Sequence, residues 1–217
     1  NSLALAASGA LVTLTLGLFM AYGKRLYGNR LVSGAVRFAG MGYAIPGTVI
    51  AVGVMIPFAW LDNSIDGWMR AHYGLSTGLL LSGTLAALLF AYLVRFLAVA
   101  LQAVESGLAR IRTSMDEAAR SLGYRPVEVL RRVHAPLMRS SLLTGALLVF
   151  VDILKELPAT LVLRPFNFDT LAVRTYELAA DERLADAASA SLAIVLAGII
   201  PVILLSQSLS RARIRYE

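Results

Sequence analysis

The sequence predicts an all-α membrane protein with five transmembrane helices. Of its 217 residues, 58% are hydrophobic and only 16% are charged, whereas about a quarter of the residues of an average soluble domain are charged. The mean hydropathy is +0.70, and the apolar residues form long blocks. A helix needs about 20 apolar residues to cross the hydrocarbon of a bilayer, so these blocks are typical of membrane spans.

Five segments have the required length and composition. They are residues 3–22, 39–61, 75–101, 141–163 and 187–210. The first, second and fifth carry no charge, and the third carries only Arg95. The fourth contains Asp152, Lys155 and Glu156, which makes it the exception among the five. Pro46, Pro57 and Pro201 fall inside the second and fifth segments.

The connecting segments differ in their basic residues, which predicts the orientation. Residues 23–38, 102–140 and 211–217 together carry 14 Lys and Arg, and residues 62–76 and 164–186 carry four. Cytoplasmic loops are enriched in Lys and Arg, so the first group is predicted to be cytoplasmic. The start of the chain is then outside and its end inside, as five spans require.

Composition argues against several other classes of protein. The net charge of +6 does not indicate nucleic-acid binding, because the basic residues flank apolar blocks and form no stripe. The chain has no cysteine, which excludes disulfides and thiolate metal sites. His72 and His134 lie in loops on opposite sides, so they do not support an intramembrane enzyme. The chain begins at Asn1 without methionine, and we expect it to be a fragment or one half of a longer protein.

The loop 102–140 contains a polar motif, "MDEAARSLGY" (Met115 to Tyr124). We predict a short helix with Ser114 as its N-cap, acids in its first turn and Gly123 at its end. Ala118 and Ala119 would leave one face flat enough for close docking. "RPVEVLRRV" predicts a second short helix, which Pro136 would end before the fourth span.

These residues resemble the EAA loop of the inner-membrane permeases of binding-protein-dependent ABC importers. That pattern reads Glu-Ala-Ala, three residues, Gly, nine residues, Ile, one residue, Leu, Pro. Glu117, Ala118, Ala119, Gly123 and Pro136 match at full spacing. Val133 and Ala135 replace Ile and Leu, and His134 fills the variable position between them. The resemblance implies a type I ABC importer architecture, with residues 1–217 as a single permease domain.

The resemblance also implies a division of labour between subunits. The helix Asp116 to Gly123 would dock in a groove of one subunit of a cytoplasmic ATPase dimer, with Glu117 making polar contacts and Pro136 ending the loop. This chain would bind no cofactor, since it has no phosphate-binding loop, and ATP and magnesium would be held by the partner. A periplasmic substrate-binding protein would dock outside, and a second permease half, fused or a second copy, would complete the pathway. We expect membrane lipid around the spans and no nucleic acid.

Two further segments narrow the resemblance. "YAIPGTVIAVG" (Tyr43 to Gly53) and residues 155–188 look like the ferric-iron branch of these permeases, in which two halves are commonly fused. This chain would then be a C-terminal half in the bacterial inner membrane. Thiamine, phosphonate and sulfate permeases are similar in style and remain alternatives. An ATP-independent secondary transporter is a further alternative, which the EAA loop disfavours.

Charged groups within spans are costly and usually face protein or water, so the fourth span supplies candidate pathway residues. Asp152 and Lys155 would form an intrahelical ion pair, or line the pathway together with Glu156. Glu156 could contact a ferric ion transiently, but we expect no stable metal site. Pro46, with the glycines around it, predicts a kinked, closely packed helix or a gate.

The acids of the two outer loops are candidates for contacts with the binding protein. The alternative for each is an ordinary solvated position. The residues are Asp62, Asp66, Asp169, Glu177, Asp181, Glu182 and Asp186.

Overall fold

The computed structural model describes the backbone of residues 1–214 and the side chains of residues 1–203 and of Ser206. Its helices are α1 (Ser2–Tyr27), α2 (Arg30–Ala39), α3 (Gly47–Tyr73), α4 (Leu85–Ala109), α5 (Thr113–Ser121), α6 (Pro126–Leu137), α7 (Arg139–Leu154), α8 (Pro158–Leu163), α9 (Leu171–Ala180) and α10 (Leu184–Ile214). A single 3-10 turn, Gly42–Ala44, precedes α3. Because every element in the described part is helical, the predicted all-α fold is confirmed.

The centre of the bundle is formed by α1, α4 and α7, which pack against one another. Small residues bring these helices close together, as is usual in membrane proteins. A Cβ on Gly17 of α1 would lie 3.1 Å from the Cβ of Ala100, and one on Gly145 of α7 would lie 2.7 Å from the Cβ of Ala103. Tyr92 of α4 is fully buried in this core.

Four of the described helices are long and apolar enough to cross a membrane. They are α1, α3, α4 and residues 184–203 of α10. The pair α6 and α7, bent by 82° at Met138, would make a fifth span if the two were counted as one. Four or five apolar helices agree with the predicted membrane-protein class. Arg215 of the predicted cytoplasmic tail lies outside the described residues.

The helix boundaries differ from the predicted segments in the second and third spans. The predicted segment 39–61 does not form one helix, because α3 begins only at Gly47 and the N-cap position is Pro46. We expected Pro46 to kink a span. It stands instead just before the first turn of α3. At its other end α3 runs to Tyr73, so Asp62 and Asp66 lie in a helix and not in a loop.

The loop between α3 and α4 is held by those two carboxylates. Asp62 is fully buried and accepts hydrogen bonds from the backbone N–H groups of Leu80, Leu81 and Ser82 at 2.7–3.2 Å. Asp66, one turn further along α3, accepts from the N–H groups of Thr77 and Gly78. This arrangement keeps residues 74–84 out of the helix, which is why α4 begins at Leu85 and not near residue 75.

The predicted fourth span, 141–163, is divided by a break. The helix α7 ends at Leu154 and α8 begins at Pro158. Proline has no N–H to continue a helix, and its ring clashes with the carbonyl four residues earlier, here that of Leu154. The break at residues 155–157 follows directly from Pro158, and it places Glu156 in non-helical backbone.

Candidate functional site

The polar loop after α4 is attached to the end of α1 by Arg25. Its Nε and Nη2 atoms lie 2.9 and 2.7 Å from Oδ2 of Asp116. The guanidinium also donates to the carbonyl oxygens of Leu108 and Ile111, at 2.5 and 2.8 Å. One side chain of α1 thus binds the C-terminal end of α4 and the first turn of α5, which fixes the start of the loop.

Asp116 was predicted to belong to the docking helix as a contact to the ATPase. In the structure its carboxylate points inward, where Oδ2 meets Arg25 and Oδ1 meets Nε2 of His134. His134 is completely buried, and its ring lies 5.3 Å from that of Tyr22, centre to centre. Asp116 therefore joins α1, α5 and α6.

His134 was missed as a structural residue when the sequence was considered alone, because it fills a variable position of the motif. Tyr22 was missed as well, and its hydroxyl donates to the carbonyl oxygen of Pro126 at 2.8 Å. The available signal was the pairing of a histidine and an acid within one short loop, at positions 134 and 116. It could not reveal that Arg25, far away in the chain, would join them.

The other side of α5 is left free. Glu117 and Ala118 are exposed, whereas Ala119 is buried against the rest of the loop. Within the described residues the Glu117 carboxylate has no hydrogen bond and no ion pair. The motif is therefore split between an inner group, Asp116 and Ala119, and an outer face that begins with Glu117 and Ala118.

Gly123 ends α5, as predicted, in a conformation that only glycine adopts easily. Its φ is +81°, in the left-handed region. Tyr124 N–H donates to the carbonyl of Ala119, and Gly123 N–H to that of Arg120, which is the Schellman pattern of helix termination. No atom lies within 4 Å of a Cβ built on Gly123, so it is the backbone conformation and not a lack of space that favours glycine here.

The start of α5 differs from the prediction. The helix begins at Thr113, and the residue before it, Arg112, makes no side-chain cap. Ser114 is thus the second helical residue and not the N-cap. The docking of Asp116 on Arg25 stabilises this first turn in place of a cap.

Pro136 was predicted to end the second short helix of the loop. It lies instead inside that helix, α6. The turn before it, Leu130–His134, is π-helical, and the chain bends only at Met138. A wider turn accommodates the missing proline N–H and the bulk of its ring. The same wide turn carries the buried His134.

The charges of the fourth predicted span fall into two pairs. Lys155 Nζ lies 2.9 Å from Oδ1 of Asp152, so the pair that was one of the two expectations forms, but Lys155 stands just after the end of α7 and not within the helix. Glu156 is 7% exposed and pairs with Arg95, its Oε2 lying 3.0 Å from Nε of the arginine. This contact is an ion pair without a well-aligned hydrogen bond, since Nε has no hydrogen-bond partner. Sequence reasoning treated Arg95 only as an interruption of a span.

Pro46 stands beside this second pair. The Nη1 atom of Arg95 donates to the carbonyl oxygen of Ile45 at 2.8 Å, just before Pro46. A Cβ on Gly47 would lie 2.5 Å from Oε1 of Glu156. Pro46 is itself exposed. The packing expected around it belongs to Gly42 and Gly47, and a Cβ on Gly42 would lie 1.9 Å from the carbonyl oxygen of Val94.

Most acids of the two predicted outer loops have partners within the chain. Asp62 and Asp66 hold the loop before α4. Arg164 pairs with Asp169 and, at 2.9 Å, with Glu177, and Arg183 pairs with Asp186 at 2.6 Å. Asp181 and Glu182 remain exposed, and no ion pair within the described residues includes either of them.

No metal centre is formed by the described side chains, among which no three His, Cys, Asp or Glu residues come together. Glu156 is the carboxylate considered for a transient ferric contact. Its oxygens face Arg95 and the N–H of Ala159, which lies 3.2 Å from Oε1. A cation could bind there only if Arg95 moved away.

Comparison with known proteins agrees with this architecture. Over 207 residues the chain is 27% identical to the Fe(3+)-transport system permease protein FbpB 2 of Haemophilus influenzae, covering 95% of this chain and 38% of that protein. Over 194 residues it is 29% identical to the putative 2-aminoethylphosphonate transport system permease protein PhnV of Salmonella typhimurium, covering 89% of this chain and 67% of that one. The chain thus spans well under half of the iron-transport relative and two thirds of the phosphonate-transport relative.

A solved structure shares the fold. An inward-facing structure of the MetNI methionine ABC transporter superposes with a TM-score of 0.65 at 18% identity, covering 97% of this chain and 92% of that one. The family model described as "Binding-protein-dependent transport system inner membrane component" matches residues 13–216. The chain, a membrane protein with several apolar helices, therefore belongs to this family of ABC transporter permeases.

Proposed function

We propose that this chain is the transmembrane permease part of an ATP-driven importer that moves ferric iron, delivered by a periplasmic binding protein, into the cytoplasm. The observation that carries the proposal is the two-sided loop helix α5. Its inner residue Asp116 is bound to α1 through Arg25, and its outer residues Glu117 and Ala118 are exposed without partners. A partner that moved this exposed face would move α1 with it.

The partners of this chain are inferred from its family together with this arrangement. A separate ATPase dimer, which binds ATP and magnesium, would receive α5 on the cytoplasmic side, and this chain would bind no cofactor. A second permease half, fused or a second copy, would complete the pathway in the bacterial inner membrane. With α5 in the cytoplasm, Asn1 would be outside and the C-terminus inside. The exposed acids Asp181 and Glu182 would then face the binding protein.

The choice of ferric iron rests on the iron-transport relative, which the chain matches over 95% of its length. A phosphonate is the second candidate, because the relative named for 2-aminoethylphosphonate transport is slightly more identical. The described side chains form no metal cluster that would decide between them. Selectivity is then expected mainly from the binding protein that delivers the cargo.

The test uses the complete permease with its ATPase, reconstituted in lipid together with its binding protein. ATP hydrolysis is measured with that protein empty, loaded with ferric ion, or loaded with a phosphonate. Stimulation by the iron-loaded protein supports the full proposal. Stimulation only by the phosphonate-loaded protein would mean that the importer carries a phosphonate and not ferric iron. Cargo uptake in vesicles that lack the ATPase would refute the importer assignment.

Two variants test the docking face. Glu117→Ala and Gly123→Val should weaken binding of the ATPase to the permease, the first by removing an exposed contact and the second by distorting the turn. Asp181→Asn, at an acid that is also exposed but predicted on the opposite side, is the control and should leave ATPase binding unchanged. If all three variants bound the ATPase equally well, α5 would not be the docking helix.

A further inference from the structure

An ion pair between the partly buried Arg95 and the buried Glu156 joins three parts of the bundle at the level where two of its helices are interrupted. One interruption precedes Gly47, the first residue of α3, and the other separates α7 from α8. Arg95 of α4 reaches both, because it donates to the carbonyl of Ile45 and pairs with Glu156. The side chains of Arg95 and Glu156 are only 19% and 7% exposed.

Arg95 lies near the middle of α4, one of the helices that are long and apolar enough to cross a membrane. Arg95 stands ten residues into a helix of 25 residues, which places it about 15 Å along the axis and near the middle of that helix. Charged residues at such depth are costly and usually functional. Non-helical backbone at membrane depth is tolerated only where protein or a water-filled cavity surrounds it, and in transporters such breaks lie beside the pathway.

The surrounding contacts are unusually close. A Cβ on Gly47 would lie 2.5 Å from Oε1 of Glu156 and 3.2 Å from Nη1 of Arg95, so only glycine leaves room for the pair. The backbone carbonyl of Glu156 accepts from the hydroxyl of Thr160, which bonds the hydroxyl of Tyr92 at 2.6 Å. The break after α7 is thereby bound to α4 at two levels, through Arg95 and through Tyr92.

Stability alone does not require such a pair. Replacing both members of a buried ion pair by well-packed apolar residues of similar volume is often neutral for folding, because no charge is left unpaired, whereas removing one member leaves an uncompensated charge and is strongly destabilising. Hinges are formed by residues at the ends of helices and in short links. A pair that connects two such links prevents them from moving independently.

We propose that Arg95 and Glu156 are positioning residues for transport, whose ion pair holds the break before α3 and the break after α7 against α4 in the state described here. The pair separates when the bundle changes the side to which it is open. This rests on the proposed function as a permease. Transport would thus depend on a contact that the cargo itself need not touch.

The test compares single and double neutral variants in the complete permease–ATPase complex. Arg95→Met and Glu156→Gln should each lower the thermal unfolding temperature, since each leaves a buried charge unpaired. The double variant Arg95→Met/Glu156→Gln should recover that temperature. It should nevertheless hydrolyse ATP without the binding protein and lose its stimulation by the loaded binding protein.

Gly47→Ala probes the same pair without changing its charges, because the added methyl group displaces the Glu156 carboxylate. It should also lose stimulation. Gly53→Ala in the same helix, where no atom lies within 4 Å of the new Cβ, is its matched control and should retain it.

The outcomes separate the two proposals. If the unaltered complex shows no stimulation by any loaded binding protein, the proposed function fails. If the unaltered complex is stimulated and the double variant is stimulated equally, the pair is only structural and the inference is overturned. A double variant that does not assemble would overturn it too, because the pair would then serve folding.

Discussion

Replacing Asp116 by alanine should detach α5 from the bundle. The carboxylate receives charged hydrogen bonds from Arg25 and contacts the buried His134, and alanine would leave both without their acceptor. The Asp116 and Arg25 side chains are 17% and 14% exposed, so solvent compensates part of the loss. Breaking a fully buried pair costs 3–5 kcal/mol, and we expect about 2 kcal/mol for this partly buried one.

Hydrogen exchange of the loop amides measures this cost directly. A helix of nine residues is not stable on its own, so an undocked α5 unfolds and its amides exchange. The amides to follow are those of Leu122, Gly123 and Tyr124, which are bonded to carbonyls of α5. At 1.36 kcal/mol for each tenfold change, a loss of about 2 kcal/mol lowers their protection about 30-fold.

The neighbouring acid provides the control for this experiment. Glu117→Ala removes an exposed carboxylate without an intramolecular partner and should leave the protection unchanged. If Asp116→Ala also left it unchanged, Asp116 would not anchor the loop. Arg25 would then not be the link through which α5 moves α1.

The remaining predictions concern single positions. Gly42→Ala should destabilise the purified permease by about 3 kcal/mol or more in thermal unfolding, because its Cβ would lie 1.9 Å from a backbone oxygen of α4. Gly53→Ala is the control, and an unfolding temperature of Gly42→Ala no lower than that of the control would contradict this. Gly123→Ala should cost about 1–2 kcal/mol of loop stability in the same exchange measurement, because the residue has a φ of +81°. Gly123→Asn should cost less, and an equal loss in the two variants would argue against backbone strain as the cause. Asp62→Asn should expose the loop before α4 to protease, since an amide offers weaker acceptors to three N–H groups, whereas Asp181→Asn should not; an equally resistant loop would refute the role of Asp62.

The fold class could be predicted because apolar blocks of membrane length dominate the composition. The positions of the helix ends were harder to predict from the sequence. The stretch 39–46 is apolar enough to continue a span, yet it leaves the helix because the carbonyl of Ile45 is used by Arg95 and Gly42 packs against the backbone of α4. Both are long-range contacts, which hydropathy does not report. The break after α7, by contrast, has a local cause in Pro158, although the predicted span 141–163 ran through it.

For the candidate site, the motif gave the position of α5 and the glycine turn, since both depend on local residues. It did not give the inward direction of Asp116, because the partners Arg25 and His134 come from other helices. The same holds for the acids of the two predicted outer loops. Five of the seven acids considered for a docking surface are bound to arginines or backbone N–H groups, and those pairings form only in the folded chain.

The two carboxylates that hold residues 74–84 also bear on how this protein matures. Proteins outside the cytoplasm often close such loops with disulfide bonds, which require an oxidising compartment and its enzymes. This chain has no cysteine, and Asp62 and Asp66 close the loop by accepting five backbone N–H groups. The loop can therefore reach its final shape without any oxidation step, and its shape is independent of the redox potential around it.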